Sequence, residues 1–259
     1  MAVALLAIGC GSGPSRRDEV TRYMARVNTI EAGLTGPASA VAVASRGLAK
    51  PQANAAETEA KLRRAASEID RVHGRLAAVA APVDARRLRT LLLTLAGRQA
   101  AIARELADIV AYLPALQAAL RPLASAGTKL QKAIAGQSSV EAKASAFDAY
   151  SATVAAVLKR LRSLHPPPVS RPGHTTEVTA LTRVEAATEA IAKALRAKRT
   201  GDLAKLLRRF DQAALSTQSL SAQRARAQAV RAYNSRVRSL DTLIRRITDE
   251  RARLAKTLP

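Results

Sequence analysis

The stretch VRAYNSRVRSLDTLIRRITDERARL, residues 230–254, decides the fold. Val230, Tyr233, Val237, Leu240 and Ile244 follow one another at alternating spacings of three and four, and the stripe continues through Ile247 and Leu254. An apolar seam this narrow on a polar helix is the heptad pattern of a coiled-coil-like face, which packs against one or two partner helices. A matching string stands near the other end: Val20, Tyr23, Val27, Ile30 and Leu34 share the spacing, with Arg26 and Arg236 at corresponding places. The first and last helices are therefore expected to lie side by side.

Composition points the same way. Of 259 residues, 48% are hydrophobic and only 2% aromatic, with no Trp, two Phe and four Tyr; alanine dominates the apolar fraction. Alanine has the best helix propensity and little area to bury, so helices must approach closely along their lengths. Runs of strand formers with a period of two are absent. The expected fold is all-α, an elongated antiparallel helical bundle with coiled-coil-like seams.

Capping signals mark the helix starts. Ser15 precedes Asp18, Asn54 precedes Glu57 and Ser138 precedes Glu141, each by three residues and each ahead of a periodic apolar run. Gly36-Pro37, Lys50-Pro51, Pro82, Gly136, the run HPPPVSRPG at 165–173 and Thr200-Gly201 mark the ends. Helices are predicted over about 16–34, 37–48, 55–81, 84–135, 139–165, 174–199 and 202–258, with Pro114 and Pro122 breaking or kinking the fourth. An offset of 85 aligns Leu62, Ile69, Val72, Leu76, Val79 and Pro82 with Phe147, Val154, Val157, Leu161, Leu164 and Pro167, and Arg86 with Arg171. This reads as a duplicated helical hairpin, with units of about 55–113 and 139–199 inside one extended domain spanning 16–259.

Charge bounds the function. Lys and Arg number 42 against 20 Asp and Glu, a net charge of +22. Between Arg196 and Pro259 stand sixteen basic residues and five acidic ones, so half the excess falls on about a quarter of the chain. Such a field attracts polyanions and anionic surfaces. The candidates for that contact are Arg208, Arg209, Arg224, Arg226, Arg236, Arg238, Arg245, Arg246, Arg251 and Arg253.

The chain opens MAVALLAIGCGSGPS, seven apolar residues from Ala2 to Ile8, then Gly9, the only cysteine and a flexible run. The apolar run is too short to cross a membrane, which takes about 20 residues. Leu6-Ala7-Ile8-Gly9-Cys10 resembles the lipobox of bacterial lipoproteins, with Gly11 to Ser15 as a tether. The resemblance covers only about the first fifteen residues. It implies that residues 1–9 are a signal peptide removed before Cys10, that the Cys10 thiol receives a diacylglycerol, and that the new amino terminus is acylated. The mature protein would then be held by its lipid on the extracytoplasmic face of a cell membrane, since two or three acyl chains anchor stably where one does not.

Motifs for chemistry are absent. His73, His165 and His174 have no HExxH, Glu-x-x-His or cysteine partner, so no metal site is expected. No GxSxG, SxxK or Walker loop occurs, and Glu185 with Glu189 reads as ordinary helix surface, Glu189 standing four before Lys193. No catalytic residue and no cofactor is expected. Besides an enzyme with no recognisable motif, two function classes remain. One is an envelope lipoprotein acting as a non-catalytic binding or spacing module, its basic face towards anionic lipid or cell-wall polymer. The other is an intracellular helical protein binding nucleic acid without sequence preference, although no zinc finger, RNP motif or aromatic stacking platform is present. Export at Cys10 would put nucleic acid out of reach.

Overall fold

The computed structural model describes residues 15–47, 54–136, 139–217 and 220–257. Eight α-helices occupy them: α1 Arg16–Glu31, α2 Thr35–Gly47, α3 Ala55–Ala78, α4 Arg86–Ala135, α5 Val140–Ser163, α6 Arg171–Arg196, α7 Thr200–Thr217 and α8 Leu220–Thr257. No strand occurs among the described residues. The fold is all-α, as the composition requires.

Local chemistry sets most boundaries. Ser15 and Asp18 form a reciprocal capping box at the start of α1, and the Asp18 carboxyl is held below its usual range by hydrogen bonds from the Ser15 hydroxyl and amide. At α5 the cap is Ser139, whose hydroxyl accepts from the Ala142 amide. The predicted cap, Ser138, lies outside the described residues. Pro37 and Pro172 sit in the first turns of α2 and α6 rather than ending a helix, because the missing N–H has no partner to lose there. α4 runs through Pro114 and Pro122 as one helix, so of the expected break or kink the break does not occur. Each proline removes one N–H from a 50-residue ladder. Gly201 falls inside α7, and α6 is ended by Lys198, whose φ of 54° gives the left-handed turn usually made by glycine. The predicted helix over 202–258 appears as α7 and α8, and residues 218–219 between them lie outside the described chain.

The chain forms two compact units. The first comprises Met1–Arg46, Lys61–Arg104 and Val237–Pro259; the second comprises Gly47–Ala60 and Glu105–Arg236. In the first unit Val20, Tyr23, Val27, Ile30 and Leu34 of the leading segment share a core with Ile69, Leu76, Leu88 and Leu92 and with Leu243, Ile247 and Leu254 of α8. The first and last helices do meet. The seam on α8 differs from the predicted one: Val237 and Ile244 are 36% and 46% exposed, while Leu243, Ile247, Glu250 and Leu254 are buried. Glu250 can occupy a core position because Arg87 and Arg253 both pair with it, and Arg253 also donates to the Asp84 carbonyl. The Arg253 hydrogen bonds hold the Glu250 carboxyl below its usual range. The turn at 32–34 comes so near α3 that a Cβ on Gly33 would lie 3.1 Å from Val72 Cγ2, which is why a residue without a side chain stands there.

The second unit is built on α5 and α6, with Val154, Val157, Leu158, Leu161, Leu181 and Val184 at its centre. Phe210 of α7 sets its ring edge-on to Phe147 and Tyr150 of α5, with centroids 6.0 and 6.2 Å away. The hairpin of each unit has the same layout. α3 and α5 are both 24 residues long, each is followed by a three-residue 3₁₀ turn entered from a proline with extended ψ, Pro82 or Pro167, and α4 and α6 start 85 residues apart. Leu62, Ile69, Val72 and Leu76 are buried, as are Phe147, Val154, Val157 and Leu161 at the same offset. A further likeness emerges ahead of each hairpin. Ile109, Tyr112, Leu116, Ala119 and Leu123 repeat the spacing of Val20 to Leu34, all at an offset of 89, and all are packed into their unit's core or buried in it.

Candidate functional site

The ten arginines proposed from sequence divide by environment. Arg208, Arg209, Arg238, Arg245 and Arg246 are exposed. Arg236, Arg251 and Arg253 are ion-paired, to Glu105, Glu31 and Glu250 respectively, with Arg236 and Arg253 still exposed. The Glu105, Glu31 and Glu250 partners are 8%, 23% and 3% exposed; the first two pairs tie α8 to α4 and α1, and the third lies within α8. The side chains of Arg224 and Arg226 lie outside the described residues, as does Cys10. Within the second unit Arg209 lines an open groove of about 400 Å³ with Arg183, Ala186, Ala190, Leu206 and Gln212.

A buried polar cluster went unrecognised in the sequence. Tyr112 Oη lies 2.9 Å from His174 Nδ1, and the two rings meet edge to face at 6.1 Å. Burial lowers the His174 pKa and raises that of Tyr112 to about 12, with the nearby Glu177 carboxylate adding to the latter. Both groups are therefore neutral at ordinary pH, and the tautomer of His174 decides which of the two donates. Glu177, one turn further along α6, is 7% exposed, and burial pushes its carboxyl up. Among the described residues no side chain is hydrogen-bonded to it. The missed signal was the repeat itself: Glu177 stands at the offset of 85 from Leu92, a fully apolar core position, and His174 stands at the same offset from Arg89. The first unit echoes the arrangement, with Arg89 close enough to oppose the rise that burial gives Tyr23.

Neither groove of the two units contains His174 or Glu177. Among the described residues no group of three His, Cys, Asp or Glu side chains is placed to hold a metal ion. No helix among them is long and apolar enough to cross a membrane. Comparison with family models, curated proteins and solved structures gives no match.

Proposed function

We propose that this chain is a lipid-anchored, extracytoplasmic lipoprotein whose helical units act as a non-catalytic binding or spacing module at the cell envelope. The observation that carries the reading is the lone cysteine at the end of Leu6-Ala7-Ile8-Gly9-Cys10, followed by a small, flexible tether. The exposure of Arg208, Arg209, Arg238, Arg245 and Arg246 supports the second half, an attraction to anionic head groups or wall polymers. The all-helical body supports a spacing role, since its cores are built by packing of long helices.

The address is tested by growing cells that express the chain with a labelled fatty acid. Label and membrane fractionation are expected in the native sequence and lost in Cys10→Ala. An intact Met1 and an unmodified thiol in the mass spectrum would overturn the anchor and favour the polyanion of the cell interior.

The surface is tested with vesicles of phosphatidylglycerol and a form lacking residues 1–15. Each arginine at an anionic surface contributes about 1 kcal/mol, decaying over a Debye length. Replacing Arg238, Arg245 and Arg246 together with Gln is expected to weaken binding at least about tenfold, and salt is expected to abolish it. Binding that ignores both salt and the substitutions would refute this role.

A further inference from the structure

We propose that the groove between α6 and α7 in the second unit docks a helix of another protein, one whose stripe of small apolar residues is edged by carboxylates. This goes beyond the envelope reading: it requires neither Cys10 nor the arginines of α8, and its partner is a polypeptide rather than a lipid or a wall polymer. The groove measures about 400 Å³. Ala186, Ala187 and Ala190 of α6 line one side, and Leu206 and Ala213 of α7 the other. Alanines one turn apart on a helix leave a shallow channel that accepts the side-chain ridge of a third helix.

The repeat shows what this face carries when it is covered. At the offset of 85, Arg183, Ala187 and Ala190 correspond to Arg98, Ile102 and Glu105 of α4. Ile102 and Glu105 are 5% and 8% exposed, and Arg236 of α8 pairs with Glu105. In the second hairpin both large side chains are replaced by methyl groups that stay partly open to solvent. The room they leave is the groove.

Charge selects the partner. Arg183 stands on the α6 wall and Arg209 on the α7 wall, both exposed, and no carboxylate lines the groove. Neither arginine belongs to an ion pair among the described residues. The chain does not supply the complement itself, since the stretch 212–240 contains no Asp or Glu. A second copy is disfavoured as well, because each carries a net charge of +22. A soluble anion or a head group would meet the two arginines and leave the alanines and Leu206 wet. A helix with glutamates flanking small residues meets the cations at its edges and covers the apolar floor between them.

The test is a nuclear magnetic resonance titration of the full chain, with isotope-labelled alanine methyl groups, against a capped helical peptide of about twenty residues. The peptide is built from Ala, Leu and Glu so that glutamates edge an alanine stripe on one face. The methyl signals of Ala186, Ala187 and Ala190 are expected to shift and saturate, with affinity falling as salt rises. Arg183→Gln together with Arg209→Gln is expected to weaken binding about tenfold. Ala186→Trp places a large ring in the groove from an exposed position and is expected to abolish binding. The triple Gln variant at Arg238, Arg245 and Arg246 lowers the net charge more than the double variant does, and is expected to keep the peptide affinity within about twofold. That arm separates this groove from the surface assigned to the envelope, so either can fail alone. The proposal is overturned by groove signals that stay in place up to the solubility limit, by unchanged affinity in the double arginine variant or in Ala186→Trp, or by a triple variant that binds as weakly as the double one. A peptide with Gln in place of Glu that binds equally well overturns it too, as does short-chain phosphatidylglycerol moving the same signals at lower concentration than the peptide.

Discussion

Glu177→Leu is expected to stabilise the protein by about 1–2 kcal/mol at neutral pH, the scale of relieving an unpaired polar group in a protein interior. The first hairpin already carries leucine at the corresponding place, Leu92, which is 1% exposed in the same kind of core. The pH dependence distinguishes this cause from better packing. Burial raises the Glu177 pKa above its ordinary 4.5, so below that value folded and unfolded chains are both protonated and the group is neutral towards folding. As pH rises through the ordinary and then the raised value, the unfolded chain ionises more readily and stability falls. Glu177→Gln should therefore match the native chain in acid and exceed it above about pH 5. His174 acts in the opposite sense: its lowered pKa contributes stability above about 6.5 that is lost as pH falls through the folded value. Urea denaturation between pH 4 and pH 8 reads both limbs. A Glu177→Gln gain that does not change with pH would show that the carboxylate is not the source.

Ile247→Ala is expected to cost about 2–5 kcal/mol, whereas Ile244→Ala should stay near 0.5 kcal/mol. Both isoleucines belong to the heptad stripe read from the sequence. Ile247 is 3% exposed in the core shared by the leading helix and α8, but Ile244 is 46% exposed. Removing three carbons from Ile247 leaves a void among Val27, Ile30 and Leu243, or forces that core to shift. Equal costs for the two substitutions, measured by equilibrium unfolding, would restore the sequence-derived register and displace the one described above.

That register marks the limit of sequence reading in this chain. Helix starts were legible because capping is local: Ser15 and Asp18 satisfy each other within one turn. The hairpins were legible because large apolar residues recur at one offset, and burial follows them. The α8 seam was misplaced because Glu250 is charged, and a charge at a core position disappears from any hydrophobic pattern. Its burial rests on Arg253, three residues on, and on Arg87, more than 160 positions away. Lys198 could not be recognised as the end of α6 since nothing in a lysine announces a left-handed backbone. The surface arginines were identified by type alone, and sequence gave no means to separate Arg245, which is exposed, from Arg251, which is tied to Glu31. The Tyr112 and His174 contact joins residues 62 positions apart and was invisible for the same reason.

Two hairpins whose first helices are equal in length and match in apolar register create a hazard for a folding chain: α3 can mispair with α6, and α5 with the first half of α4, since local turns form early and either hairpin can serve as a nucleus. Correct pairing then depends on residues that differ between the copies. Leu92 and Glu177, with Arg89 and His174, form the sharpest contrast at matched positions. Pairing α3 with α6 would set Glu177 and His174 where α4 presents Leu92 and Arg89, so these two positions are where the copies tell each other apart.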